Sequence, residues 1–104
     1  MTKDSGETAK FKCEAEGSPL PNKIKWYKNE APLIEERGRV TLRRYKPNGG
    51  GLGSRLRISD LNTHDMGFYK CVVQNGEEKI NTQGILIVQY KGTWGKYLTI
   101  HILY

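Results

Sequence analysis

The feature that most constrains this chain is an alternation of apolar and polar residues with a period of two. In residues 8–16, TAKFKCEAE, the residues Ala9, Phe11, Cys13 and Ala15 alternate with polar and charged residues. This pattern is typical of a strand with one face in the core and one face in water. No window of helical length shows a convincing period of 3.6, so the sequence predicts an all-β chain.

Similar runs recur along the chain and are separated by residues that favour turns. They are KIKWYK at 23–28, RVTLRR at 39–44, SRLRIS at 54–59, GFYKCVVQ at 67–74 and QGILIVQY at 83–90. The pair Asn75–Gly76 is a strong hairpin signal, and residues 29–38 predict one further short strand. About seven short strands at hairpin spacing predict a β-sandwich. At 104 residues the chain is long enough for one such domain.

The chain contains two cysteines, which allow a single pairing, Cys13 with Cys71. Tyr69 lies two residues before Cys71, so both side chains point to the same face of a strand. A buried tyrosine needs a partner for its hydroxyl. A Cys13–Cys71 bond would stabilise the fold by roughly 4 kcal/mol in the chain-entropy model, and its persistence requires an oxidising compartment. Because two cysteines are also common in cytosolic proteins, their number alone leaves the compartment open.

The order Cys13, Trp26, Tyr69, Cys71 resembles the immunoglobulin fold. This resemblance implies a two-sheet Greek-key sandwich in which one inter-sheet disulfide, Cys13–Cys71, packs on Trp26. The corner sequence DMGFYKC strengthens the resemblance. It implies that the Tyr69 hydroxyl bonds the nearby backbone and that Asp65 pairs with an arginine, for which we select Arg39.

Three segments narrow the resemblance: KIKWYKNEAPLIEE, GSRLRISDLNTHDMGFYKC and NGEEKINTQGILIV. They are similar to the intermediate-set immunoglobulin domain of Ror-family receptor tyrosine kinases, over residues 6–90. The resemblance implies an extracellular, non-catalytic module of a larger cell-surface receptor that contacts a protein ligand or co-receptor. Two other classes fit the same fold: an immunoglobulin module of a secreted heparin-binding growth factor, and a structural link of an intracellular filament protein.

The sequence offers no candidate catalytic or metal-binding group. His64 and His101 are the two histidines, and neither has the sequence context of a catalytic triad. With both cysteines assigned to a disulfide, no thiolate remains for catalysis or for a metal. The segment NGGGLG lacks the lysine of a phosphate-binding loop. We therefore expect no enzymatic activity, no cofactor and no metal.

A formal net charge of +6 favours acidic partners. Alternation places Arg43, Arg55 and Arg57 on one outer face, with Lys10 and Lys12 on the next strand of the same sheet. These residues are a candidate site for a glycosaminoglycan such as heparan sulfate, and the alternative is a solvated face that keeps the domain soluble. Nucleic acid is not an expected partner, because no helix is available to enter a groove.

A second candidate surface lies on the outer face of the other sheet. Phe68 and Val72 point outward by alternation, and Tyr27 is their predicted neighbour. An exposed aromatic and aliphatic cluster often marks a protein contact. The alternative is that loops or the tail of the chain cover it.

We place the immunoglobulin-like domain at residues 1–90. Residues 91–104 follow as an apolar C-terminal extension in which Leu98, Ile100 and Ile102 alternate with other residues. This alternation predicts an additional strand, formed within the molecule or across a dimer, and the alternative is an expression-derived tail. The chain has no apolar run near 18 residues, so we expect no direct membrane insertion.

Overall fold

The computed structural model describes residues 1–17 and 20–90, which form two β-sheets packed face to face. The strands are β1 Thr2–Asp4, β2 Ala9–Ala15, β3 Lys23–Lys28, β4 Ala31–Pro32, β5 Val40–Tyr45, β6 Leu52–Ile58, β7 Gly67–Asn75 and β8 Glu78–Gln89. A 3-10 turn, Thr63–Asp65, connects β6 to β7. In these two ranges no helix has the length and apolar character needed to cross a bilayer. The additional strand predicted for residues 91–104 lies outside the described residues.

The five-stranded sheet has the order β1-β8-β7-β3-β4, and the three-stranded sheet has the order β2-β6-β5. Strand β1 runs parallel to β8, and the other neighbouring strands are antiparallel. The chain passes from one sheet to the other after β1, after β2, after β4 and after β6. The predicted all-β, immunoglobulin-like sandwich is therefore confirmed.

The core lies between the two sheets and consists of inward-facing strand residues together with Leu61, which follows β6. The buried apolar side chains are Ala9, Cys13, Ile24, Trp26, Val40, Leu56, Ile58, Leu61, Tyr69, Cys71, Val73, Leu86 and Val88. Each large aliphatic side chain in this set stabilises the fold by about 1.5–3 kcal/mol relative to an exposed position. Burial of one face of the six longer strands fixes which of their side chains point outward.

Cys13 and Cys71 form the predicted disulfide, which joins β2 to β7. Trp26 is the register partner of Cys71, and Ser54 is the register partner of Cys13. The Trp26 Nε1 atom donates a hydrogen bond of 2.9 Å to Ser54 Oγ. The two sheets are thus connected twice at the same level, once by a covalent bond and once by a buried hydrogen bond.

The corner before β7 is held by polar contacts to Asp65, which is only 4% exposed. Arg39 Nη1 donates to Asp65 Oδ2 at 2.8 Å, and Arg39 Nη2 donates to Asp65 Oδ1 at 3.1 Å. The Asn62 backbone N–H donates to Asp65 Oδ2 at 3.0 Å, and the Tyr69 hydroxyl donates to the Asp65 carbonyl at 2.6 Å. The hydrogen bond with Asp65 raises the pKa of Arg39, and burial raises the pKa of Tyr69 to about 12.

Candidate functional site

The outer face of the three-stranded sheet carries five cations in two adjacent rows. Lys12, Arg55 and Arg43 lie side by side on β2, β6 and β5. Lys10 on β2 and Arg57 on β6 lie side by side, each two residues along its strand from the first row. We call these five residues the basic face, and the structure thus brings together all the residues of the glycosaminoglycan candidate. Neighbouring strands are about 4.8 Å apart and alternate residues about 6.8 Å apart, so the patch is compact.

The basic face is accessible to solvent. Four of its side chains are exposed, and Arg55, on the middle strand, is half-buried. A shallow groove of about 270 Å³ is lined by Thr41, Arg43, Arg55 and Arg57. Because neighbouring strands present these cations side by side, the face offers several simultaneous ion pairs to a polyanion.

Glu14 is the one acidic residue among the outward-facing residues of these three strands. Its carboxylate Oε2 accepts a hydrogen bond from the hydroxyl of Tyr45, which raises the pKa of that hydroxyl. Tyr45 also lies beneath Arg55, whose Cζ atom is 5.3 Å from the centroid of the ring. Glu14 and Tyr45 therefore form the boundary of the basic face at one end of the strands.

The outer face of the five-stranded sheet carries three exposed apolar side chains, Phe68, Ile85 and Ile87. Phe68 on β7 is directly opposite Ile85 on β8, and Ile87 follows two residues later on the same face. Their exposed fractions are 49%, 43% and 42%. We call these three residues the apolar cluster. Large apolar side chains that remain exposed together are typical of a protein contact.

The other two residues of the predicted protein-contact site lie farther along the same face. Tyr27 is directly opposite Lys70, and the Lys70 Nζ atom is 5.5 Å from the centroid of the Tyr27 ring. Val72 is half-buried between Lys25 on β3 and Asn81 on β8. Tyr27 therefore has Lys70 on one side and Pro32 on the other, and both cross-strand partners of Val72 are charged or polar, whereas the direct apolar neighbour of Phe68 is Ile85.

A cavity of about 420 Å³ lies beside β4 and β5. Its polar lining includes Lys28, Arg39, His64 and Asp65. Arg39 and Asp65 bond each other, and Lys28 Nζ donates to the His64 carbonyl at 2.5 Å. In the described ranges, no three His, Cys, Asp or Glu side chains are grouped so that they could hold a metal ion. The polar groups of this cavity thus serve the corner of the fold.

Three residues of these surfaces were not among those predicted from the sequence: Ile85, Ile87 and Tyr45. Alternation in GILIVQ already indicates that Ile85 and Ile87 point outward, because Leu86 and Val88 point inward. The signal for Tyr45 is Gly53, since a glycine within a strand often marks a close approach of another group. Both signals need the strand register before they identify a surface.

The model of the immunoglobulin domain family matches residues 1–75. Among curated proteins, neogenin from Rattus norvegicus is 40% identical over 90 residues, which cover 86% of this chain and 6% of that protein. Synaptogenesis protein syg-1 from Caenorhabditis elegans is 36% identical over 70 residues, which cover 67% of this chain and 10% of that protein. The chain thus spans a small part of the length of these relatives.

Among solved structures, the titin domain M7 is 27% identical with a TM-score of 0.68, covering 86% of this chain and 87% of that one. The titin M3 domain is 23% identical with a TM-score of 0.68, covering 84% of each chain, and shows the fold alone. The domain resembles those of cell-surface adhesion and receptor proteins such as neogenin and syg-1. On its matched family model, its two-sheet sandwich and its inter-sheet disulfide, the chain belongs to the immunoglobulin domain family.

Proposed function

We propose that this chain is a non-catalytic, extracellular binding module of a larger cell-surface protein, and that its basic face binds a sulfated glycosaminoglycan such as heparan sulfate. The relatives support the location, because they are cell-surface receptors and adhesion molecules. The inter-sheet disulfide supports it too, since such bonds persist in oxidising compartments. The observation that carries the ligand assignment is the row of Lys12, Arg55 and Arg43 across three strands.

Without a ligand, the opposed cations of the basic face destabilise the folded state. Arg55 is directly opposite Lys12 on one side and Arg43 on the other, and Arg57 is directly opposite Lys10. Like charges that face each other across strands are destabilising, by roughly 0.2–1 kcal/mol for each pair. A polyanion removes this repulsion and gains several ion pairs at once, so the energy of the free face favours a ligand with repeated negative charges.

The test compares salt elution from heparin with elution from a sulfonate exchanger of equal charge density. We expect the wild-type protein to elute at higher salt from heparin than from the exchanger. Replacement of Arg43, Arg55 and Arg57 by alanine is expected to abolish that difference. Equal elution of the wild-type protein from both resins contradicts glycosaminoglycan binding and assigns the basic face to solvation.

A variant with the same net charge controls for non-specific attraction. Lys23, Lys25 and Lys79 are exposed residues of the five-stranded sheet. Their replacement by alanine lowers the formal charge from +6 to +3, as the triple arginine variant does. We expect this control to keep the delayed elution from heparin, because the arrangement of charges on the basic face is unchanged.

A second function, contact with a protein ligand or co-receptor, is favoured by the apolar cluster. Immunoglobulin domains of adhesion receptors mediate protein–protein contacts. The substitution Ile85→Lys places a charge in the middle of the cluster without changing a buried residue. The matched control is Asn81→Lys, because Asn81 is an exposed residue on the same face of β8 and lies outside the apolar cluster. We expect Ile85→Lys to weaken adhesion of cells displaying the intact parent protein more than Asn81→Lys does, and equal adhesion of the two variants contradicts this role.

The narrower parent, a Ror-type receptor tyrosine kinase, remains a prediction that rests on the three segments quoted above. The secreted growth factor and the intracellular filament protein are the alternatives. The likeness to the titin M3 domain, at 23% identity, supports the fold alone and does not favour the filament alternative. The thiol state of Cys13 and Cys71 in native material discriminates the filament protein, which would hold them reduced, from both extracellular classes.

A further inference from the structure

The aromatic ring of Tyr45 lies across the backbone of the middle strand, β6. Tyr45 is the register partner of Gly53. A Cβ atom added to Gly53 would lie 2.7 Å from the Cζ atom of Tyr45, so a side chain there would displace the ring. Gly53 therefore provides the space in which the ring lies flat on the sheet.

The far end of this ring is held by β2. The Tyr45 hydroxyl donates to the Glu14 carboxylate, and this bond raises the pKa of the hydroxyl. The tyrosine thus starts on β5, crosses β6 and ends on β2. Its position is fixed from both ends, by the backbone of one edge strand and by a side chain of the other.

Arg55 lies over this ring, with its Cζ atom 5.3 Å from the centroid. It is also the central cation of the row formed with Lys12 and Arg43. A guanidinium held against an aromatic ring by a cation–π contact retains N–H groups for bidentate bonds to an oxyanion. Arg55 is therefore the cation of the basic face with the best defined position.

We propose that Arg55 is the anchor of the anion site and that Tyr45 is a positioning residue, which holds the guanidinium ready for a sulfate group of the polysaccharide. An arginine side chain loses rotamer freedom when it binds. The ring imposes part of that loss before the ligand arrives, so it increases affinity without adding a charge. This inference rests on the glycosaminoglycan binding proposed above.

The test separates position from charge by measuring affinity as a function of salt. We titrate the wild-type protein, Tyr45→Leu and Arg55→Ala with a heparin octasaccharide at several sodium chloride concentrations. Tyr45→Leu is expected to weaken binding by about two- to five-fold at every concentration, with an unchanged salt dependence. The slope of log K against log salt is negative, and Arg55→Ala is expected to reduce its magnitude by about one, because one ion pair is lost.

Two further variants control the experiment. Tyr45→Phe keeps the ring under Arg55 and is expected to retain most of the wild-type affinity for the octasaccharide, unlike Tyr45→Leu. Tyr27→Leu removes the corresponding ring under Lys70 on the opposite sheet, and we expect no change in octasaccharide affinity. If Tyr45→Leu does not fold, Gly53→Ala displaces the ring and leaves every charge in place. It is expected to weaken binding in the same way.

The outcomes distinguish this inference from the function on which it rests. If the wild-type protein binds the octasaccharide and Arg55→Ala weakens binding, but folded Tyr45→Leu or Gly53→Ala binds like the wild type, the positioning role is overturned and the function stands. If the wild-type protein does not bind the octasaccharide, the proposed function itself fails. If Tyr45→Leu loses octasaccharide affinity and also shows a smaller salt dependence of binding, the positioning role is overturned as well.

Discussion

Replacement of Asp65 by alanine tests how strongly the corner before β7 stabilises the sandwich. The side chain accepts two hydrogen bonds from Arg39, at 2.8 and 3.1 Å, and one from the Asn62 backbone, at 3.0 Å. Its removal leaves the Asn62 N–H without this partner. It also leaves the Arg39 guanidinium, which is only 26% exposed, with the exposed Glu36 as its remaining carboxylate partner. We expect the substitution to be strongly destabilising.

The magnitude follows from the burial of the pair. Removing one partner of a buried ion pair costs about 3–5 kcal/mol, and the partial exposure of Arg39 places the expected loss at the lower end, about 3 kcal/mol. Since small domains are stable by about 5–15 kcal/mol, this loss is a large share of the total. Urea unfolding followed by tryptophan fluorescence measures it, with the m-value as a check that unfolding remains two-state.

An exposed ion pair in the same protein provides the comparison. Lys70 and Glu30 are 2.6 Å apart, and the Glu30 side chain is 72% exposed. Glu30→Ala is expected to change the free energy of unfolding by less than about 1 kcal/mol. A loss in Asp65→Ala no greater than that in Glu30→Ala would refute the reasoning, because it would mean that burial and multiple hydrogen bonds add nothing to the corner pair.

Three more results are expected. Gly51→Ala should lower the free energy of unfolding, measured by urea denaturation, by more than about 1 kcal/mol, because φ is +95° and the new Cβ would lie 2.3 Å from the Ala15 carbonyl oxygen. Gly49→Ala is the control, since its Cβ would enter open space and should change the free energy of unfolding little. The free energy of unfolding should fall as pH rises from about 10 to 12, because burial raises the pKa of Tyr69 to about 12 only in the folded state, and Tyr69→Phe should flatten that decline. Deletion of residues 91–104 should lower the melting temperature or change the mass in solution if they supply an additional strand; an unchanged melt and mass would contradict it.

Alternation predicted the inner and outer residues of the strands well, because burial of one face imposes a period of two on the sequence. It did not predict which outward residues are neighbours, since that depends on register. With Asn75 and Gly76 as the two central residues of the hairpin turn, Phe68 would pair with Gln83. The structure instead pairs Asn75 with Glu78, and Gly76 has φ of +59°, so Phe68 pairs with Ile85. A shift of one residue in the turn therefore creates the apolar cluster.

The basic face was easier to predict than the contact beneath Arg55. The positions of Lys10, Lys12 and the arginines on one outer face follow from alternation and from the order of strands that the resemblance implies. The tyrosine contact follows from a missing side chain at Gly53 and from the reach of the Tyr45 ring across two strand spacings. Such a contact depends on side-chain direction in three dimensions, which a period of two does not contain.

The basic face and the apolar cluster lie on the outward sides of two different sheets, and the sheets stand back to back. Packed sheets are about 10 Å apart, so ligands on the two sides would be separated by the full thickness of the domain. A polysaccharide on one side would leave the other side open to a protein. Retention on a matrix would then raise the effective concentration of the domain near its partners, and overall avidity would rise without any change in either contact surface.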